Sequence, residues 1–103
     1  MVRLFDIQNG QVTASEHCYT LKFLNKIMVE YPLDYLKVYT YLFYMTCPNP
    51  DINPFFHFPE NEKEEVILEE VDGEFSPEDD SIVYALQRCK QMYETETSRA
   101  YYG

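Results

Sequence analysis

Side chains able to do chemistry are few in this chain, and they are poorly spaced for it. Three cysteines (Cys18, Cys47, Cys89) and two histidines (His17, His57) are its soft or nucleophilic groups. A structural zinc site needs four Cys, His or carboxylate ligands, usually arriving as two close pairs. His17 and Cys18 are adjacent, which on a helix sets them about 100° apart; the other three residues are scattered, so no metal site is expected. The run DGEFSPEDD, residues 72–80, is rich in oxygen ligands but lacks the residue pattern of a calcium loop. Glu69-Glu70 and Asp79-Asp80 are neighbours in sequence and diverge on a helix. They read as solvating and capping groups, not as an acid–base pair. A Cys–His nucleophile needs one of two histidines beside one of three thiols, and no spacing singles out such a pair. With three glycines in the chain, there is no phosphate-cradling glycine loop and no nucleophile elbow. No catalytic residue, cofactor or small-molecule substrate is expected.

Binding is the remaining class, and the composition favours it. The 103 residues include ten Tyr and seven Phe but no Trp. A core this small cannot easily hide so many rings, each worth roughly 150–250 Å² of burial. The net charge of −10 is concentrated. Residues 60–80 hold eleven acids and one base, Lys63, and account for −10. Residues 1–59 contribute −1 and residues 81–103 contribute +1. Such a block repels nucleic-acid phosphates and anionic membranes and suits a solvated face or a basic protein partner. Residues 33–47 include Asp34 and Lys37 and fall short of the roughly 20 apolar residues of a membrane span. An odd cysteine count without CxxC spacing predicts reduced, mostly buried thiols in a cytosolic setting. MVRLFDIQNGQV has no apolar core of a signal peptide.

The elements that must position these side chains are mainly helical. Asn9-Gly10 predicts an N-terminal hairpin or strand over residues 1–12. Thr13-Ala-Ser-Glu16 reads as a capping box, opening a helix near 14–31 with Leu21, Leu24, Met28 and Tyr31 on its apolar stripe, Phe23 and Ile27 widening it, and Pro32 ending it. Leu36, Tyr39 and Phe43, joined by Val38, Leu42 and Met45, predict a second helix near 33–47, which leaves Tyr41 and Tyr44 on its polar side. Prolines 48, 50, 54 and 59 forbid regular structure over 48–60. The interleaved Phe55, Phe56 and Phe58 mark this segment as an ordered, extended loop. Asn61 is the expected cap of a helix near 61–72 that Gly73 stops. Ser76-Pro77-Glu78-Asp79 is the expected start of a helix near 77–98 carrying Ile82, Leu86, Cys89 and Tyr93 on one face. The whole is expected to form one small domain, a bundle of about four helices, with 13–47 as a helical pair and 61–103 as the acidic and C-terminal helices. YETETSRAYYG ends abruptly at Tyr101 and Tyr102, as if the chain continued or a partner ordered the tail. The interface candidates are Tyr41, Tyr44, Phe55, Phe56, Phe58, Tyr101 and Tyr102.

EHCYTLKFLNKIMVEYP, DYLKVYTYLFYMTCPNPDINPFF and TSRAYYG together resemble a small acidic protein encoded among the virion genes of crAss-like tailed phages of gut Bacteroides. The likeness spans nearly the whole chain, and the relatives it brings in continue past the position of Tyr102. It implies a component of the virion, made in the host cytoplasm: a capsid auxiliary protein, a portal-vertex or connector protein, or packaged cargo. It also implies other virion proteins as partners, with several copies in a symmetric assembly, and it carries over no catalytic residue. The alternative is an acidic host-takeover protein that mimics DNA and blocks a nucleic-acid-binding enzyme.

Overall fold

In a computed structural model, which describes residues 5–8, 11–47, 50–51 and 53–102, the chain is mainly helical. Two strands, β1 (Phe5–Gln8) and β2 (Gln11–Ala14), precede five helices. These are α1 (His17–Thr20), α2 (Lys22–Glu30), α3 (Tyr35–Thr46), α4 (Glu60–Val71) and α5 (Asp80–Tyr102). The expected small helical bundle with an N-terminal hairpin is what forms.

The strands pair antiparallel, with Phe5 opposite Ala14 and Ile7 opposite Val12. The Asn9-Gly10 turn lies outside the described residues. Alternation puts Phe5, Ile7, Val12 and Ala14 on one face. Phe5 and Val12 are buried there. The Phe5 ring lies 5.3 Å from that of Tyr39 and 6.5 Å from that of Phe43, so the hairpin is seated on α3. A two-stranded ribbon is marginal alone, and this aromatic contact is what holds it.

The capping box at Thr13 does not form, because β2 runs through Thr13 and Ala14. The helix therefore starts at His17, and it is not continuous. Leu21 is extended (φ −83, ψ 121) and separates α1 from α2. The break has a packing cause. Cys18 and Ile27 are both fully buried, yet nine residues apart on one unbroken helix they would point about 180° apart. The kink lets both reach the core. The buried part of the expected stripe is Leu24 with the widening positions Phe23 and Ile27, while Leu21, Met28 and Tyr31 are half-buried.

Helix α3 is the centre of the molecule. Val38, Tyr39, Tyr41, Leu42, Phe43, Met45 and Thr46 are all buried, and so wide an apolar arc must be covered by several neighbours, while Leu36, Lys37, Thr40 and Tyr44 form its one open face. The hairpin, α2, α4 and α5 pack around it. The Tyr39 hydroxyl donates to the Leu24 carbonyl at 2.7 Å. This satisfies a buried phenol whose ionisation burial opposes strongly. From α5 the core receives Ile82, Ala85, Cys89 and Tyr93, as expected except that Leu86 is only half-buried beside it.

Two other helix ends differ from expectation. Asn61 is not the cap of α4, which begins one residue earlier behind Pro59 and offers no side-chain cap. The stop is Asp72, not Gly73. Asp72 takes the left-handed conformation (φ 50, ψ 48), and Lys37 Nζ donates to its carbonyl at 3.1 Å. Helix α4 has no base in its last turn, so Lys37 from α3 supplies the positive charge that the helix end favours. Gly73 serves another purpose. A Cβ there would lie 2.6 and 2.8 Å from Phe75 ring atoms and 3.1 Å from Lys37 Cβ. Helix α5 begins at Asp80, three residues after the expected Pro77 start. Ser76 closes a turn, its carbonyl accepting the Asp79 N–H at 3.1 Å, and Asp79 then caps the helix. Asp79 Oδ1 accepts the Ser81 N–H at 3.0 Å, and its Oδ2 accepts the Tyr31 hydroxyl at 2.8 Å.

Candidate interaction surface

The prolines after α3 create a hydrogen-bonding problem. Four carbonyls at a helix C-terminus lack helical partners, and Pro48, Pro50 and Pro54 have no N–H to offer. Asn53 solves it. Its side-chain amide donates to the carbonyls of Tyr44 and Cys47, both at 2.9 Å. Its Oδ1 accepts the Phe55 N–H at 3.0 Å. Only 1% of Asn53 is exposed. The chain then folds back, with Phe56 N–H donating to the Asn53 carbonyl and Phe58 N–H to that of Phe55, each at 3.2 Å. The expected extended arm is thus a compact knuckle. Asn-Pro favours a turn over an extended run because the Asn side chain mimics a backbone turn, and the α3 carbonyls reward that geometry.

The knuckle is wired into the core by rings. Phe43 and Tyr44 lie 5.4 Å apart, Tyr44 and Phe55 5.0 Å, and Phe55 and Phe58 5.9 Å. At the outer end Phe56 is 38% exposed and Phe58 41% exposed. The exposed His57 stands edge-on to Phe56 at 5.2 Å. The structure thus brings Tyr44, Phe55, Phe56 and Phe58 together, with the last two available to a partner. Tyr44 is half-buried, and burial, with the Glu70 charge, raises its phenol above the usual range.

Tyr41 does not belong to this surface. It is 1% exposed, its ring 5.7 Å from that of Phe75 and its hydroxyl donating to Glu64 at 3.4 Å. Tyr41 is covered because α4 and the Phe75 turn lie over its part of α3. For Tyr101 and Tyr102 the backbone is helical, and the side chains lie outside those described.

Cys18, Cys47 and Cys89 are all buried and form no disulfide. Burial pushes Cys89 up to about 12, which suppresses the thiolate that a nucleophile needs. Among the described residues no group of three or more His, Cys, Asp or Glu could hold a metal ion, and no helix is long and apolar enough to cross a membrane. No protein-family model matches the chain, and neither a curated protein nor a solved structure matches it.

Proposed function

We propose that this protein is a non-enzymatic structural or assembly component of a tailed-phage virion, a capsid auxiliary, portal-vertex or connector protein, that docks on other virion proteins through its aromatic knuckle. The observation that carries the reading is the pair Phe56 and Phe58, 38% and 41% exposed on a turn that Asn53 pins at three points. Apolar rings held rigidly at the surface lose little entropy on binding, and aromatic anchors dominate interface energetics. The resemblance to virion proteins of crAss-like phages supplies the setting. The test is twofold. Mass spectrometry of purified virions and assembly intermediates finds the protein, and the double variant Phe56→Ser, Phe58→Ser folds normally but fails to incorporate. Absence from every particle and intermediate, or undiminished incorporation of the double variant, overturns the proposal.

One observation bears on the DNA-mimic alternative. Glu62, Glu65, Glu69 and Asp72 are all exposed, and their spacing sets them on one side of α4. They present one row with a charge per about 5 Å of helix, against the two rows of duplex DNA with a charge per about 3.4 Å of axis in each strand. So dilute a stripe is a poor copy of a phosphate backbone, and the docking reading is preferred.

A further inference from the structure

A second surface lies between α2 and α5, away from the knuckle. Lys22, Phe23, Lys26, Asp80, Ser81 and Tyr84 line a cleft of about 320 Å³. Its floor is aromatic: Phe23 meets Tyr84 edge-on at 6.4 Å, and the Arg88 guanidinium sits 5.8 Å over the Phe23 ring. Tyr84 is 55% exposed, an unusual state for so large a ring beside a cleft. Among the described side chains the exposed cations are Lys22, Lys26, Lys37 and Arg88. Lys37 is engaged with the end of α4, and the other three border this cleft. Acids are present too. Asp80 is in the lining, Asp79 is held by Tyr31 and Ser81, and Glu30 lies 3.9 Å from Lys26. The cleft is therefore not strongly basic in isolation. It is, however, where three of the four exposed cations among the described side chains gather, although Asp79 and Asp80 of the acidic block reach it too.

We propose that the occupant of this cleft is the acidic α4 face of a second copy of this protein, joined head to tail. Lys22 and Lys26 stand one helical turn apart, and Glu62, Glu65 and Glu69 follow at turn-like spacing on α4. Two helices so spaced can pair charges turn by turn, because side chains three and four residues apart line one face about 5–6 Å apart. Tyr84 and Phe23 supply the apolar floor such a contact needs beneath its charged rim. The contact must be between molecules, since α4 packs on α3 and not along the α2–α5 cleft. Because donor and acceptor surfaces differ, the interface is heterologous, and repeating it closes a ring or builds an open chain. The net charge of −10 opposes association at long range. At physiological salt that repulsion is screened beyond about 8 Å, while the contacting pairs survive.

The test is sedimentation velocity of the full chain from low micromolar to near-millimolar concentration at physiological salt. Wild-type protein is expected to form concentration-dependent oligomers that weaken as salt rises. Lys22→Glu, Lys26→Glu should lower the association constant at least tenfold, and Glu65→Lys, Glu69→Lys should do the same. These positions are exposed, so circular dichroism should show each variant folded. Mixing the two variants is decisive. One keeps its α4 face and the other keeps its cleft, and the reversed cleft of the first also complements the reversed α4 face of the second. The mixture should therefore form alternating assemblies built on heterodimers that neither variant forms alone. A wild-type chain that stays monomeric throughout overturns the proposal. So do variants that associate like wild type, or a mixture without heterodimers.

Discussion

Asn53→Ala should be the most informative single substitution in the molecule. It deletes a side chain that makes three hydrogen bonds at 2.9, 2.9 and 3.0 Å in a site 1% exposed. A typical internal hydrogen bond contributes about 1 kcal/mol net, and more is lost when a buried partner is left unpaired. Tyr44 and Cys47 lose an acceptor's partner and Phe55 loses a donor's, so the expected loss is about 3 kcal/mol, with the α3 carbonyls partly rescued by water. That is a large share of the about 5–15 kcal/mol typical of such a domain. In urea the unfolding midpoint should fall by about 2 M if the slope is near 1.5 kcal/mol per M. Asn61→Ala, at an exposed position within α4, is the control and should stay within about 0.5 kcal/mol of wild type. Asn53→Asp should do no better than Asn53→Ala, because it keeps the acceptor but loses both donors and buries a charge. A loss below about 1 kcal/mol for Asn53→Ala would refute the view that this amide organises the knuckle.

Other expectations follow from single contacts. Gly73→Ala places a methyl 2.6 Å from the Phe75 ring and should cost about 1–3 kcal/mol by chemical denaturation; adding Phe75→Leu should recover part of that loss. The Tyr31–Asp79 bond makes stability depend on pH at both extremes. The hydrogen bonds from Tyr31 and from the Ser81 N–H lower the Asp79 carboxyl, so its contribution is present above the ordinary value of about 3.9 and is lost as pH falls through the lower folded value. Burial and then the Asp79 bond raise Tyr31 to about 12, so its contribution is present below about 10 and is lost as pH rises through about 12. Tyr31→Phe should therefore destabilise the protein at neutral pH and lose that effect in strong acid and strong alkali, read from thermal melts across the pH range. Finally, Cys18, Cys47 and Cys89, all buried, should react with a thiol reagent only at the rate of opening; rapid labelling of native protein would contradict their burial.

Local chemistry in the sequence foretold most of the fold and misplaced several helix ends. Asn9-Gly10 and alternating apolar residues announced the hairpin, and the aromatic stripes of α3 announced a buried helix. The errors share one cause. Thr13 and Ser76 each have the residue type of a helix cap, but β2 consumes Thr13 in its pairing with Asp6 and a turn consumes Ser76. A local signal states what a segment could do, and tertiary neighbours choose among the options. The same limit applies to the surface. Phe55, Phe56 and Phe58 drew attention as rings among prolines. Asn53 did not, because its importance lies in two carbonyls six and nine residues upstream. Tyr41 was legible only as a position on α3; whether α4 or water would cover it depends on packing that no periodicity encodes.

The position of α4 has a kinetic meaning. Its principal neighbour is α3, and its one fully buried apolar anchor is Ile67. It has no side-chain cap at its start, and six of its twelve residues are acids against one base, Lys63. Burying Ile67 contributes roughly 1.5–3 kcal/mol, Leu68 and Val71 add only partial burial, and the self-repulsion of its carboxylates opposes them. Helix α4 should therefore open before the rest, its amides exchanging with solvent well before those of α3 and α5. Opening would bare the Tyr41 side of α3 without unfolding the rest. The protein thus holds a covered aromatic face in reserve, which a partner able to neutralise the carboxylates could expose.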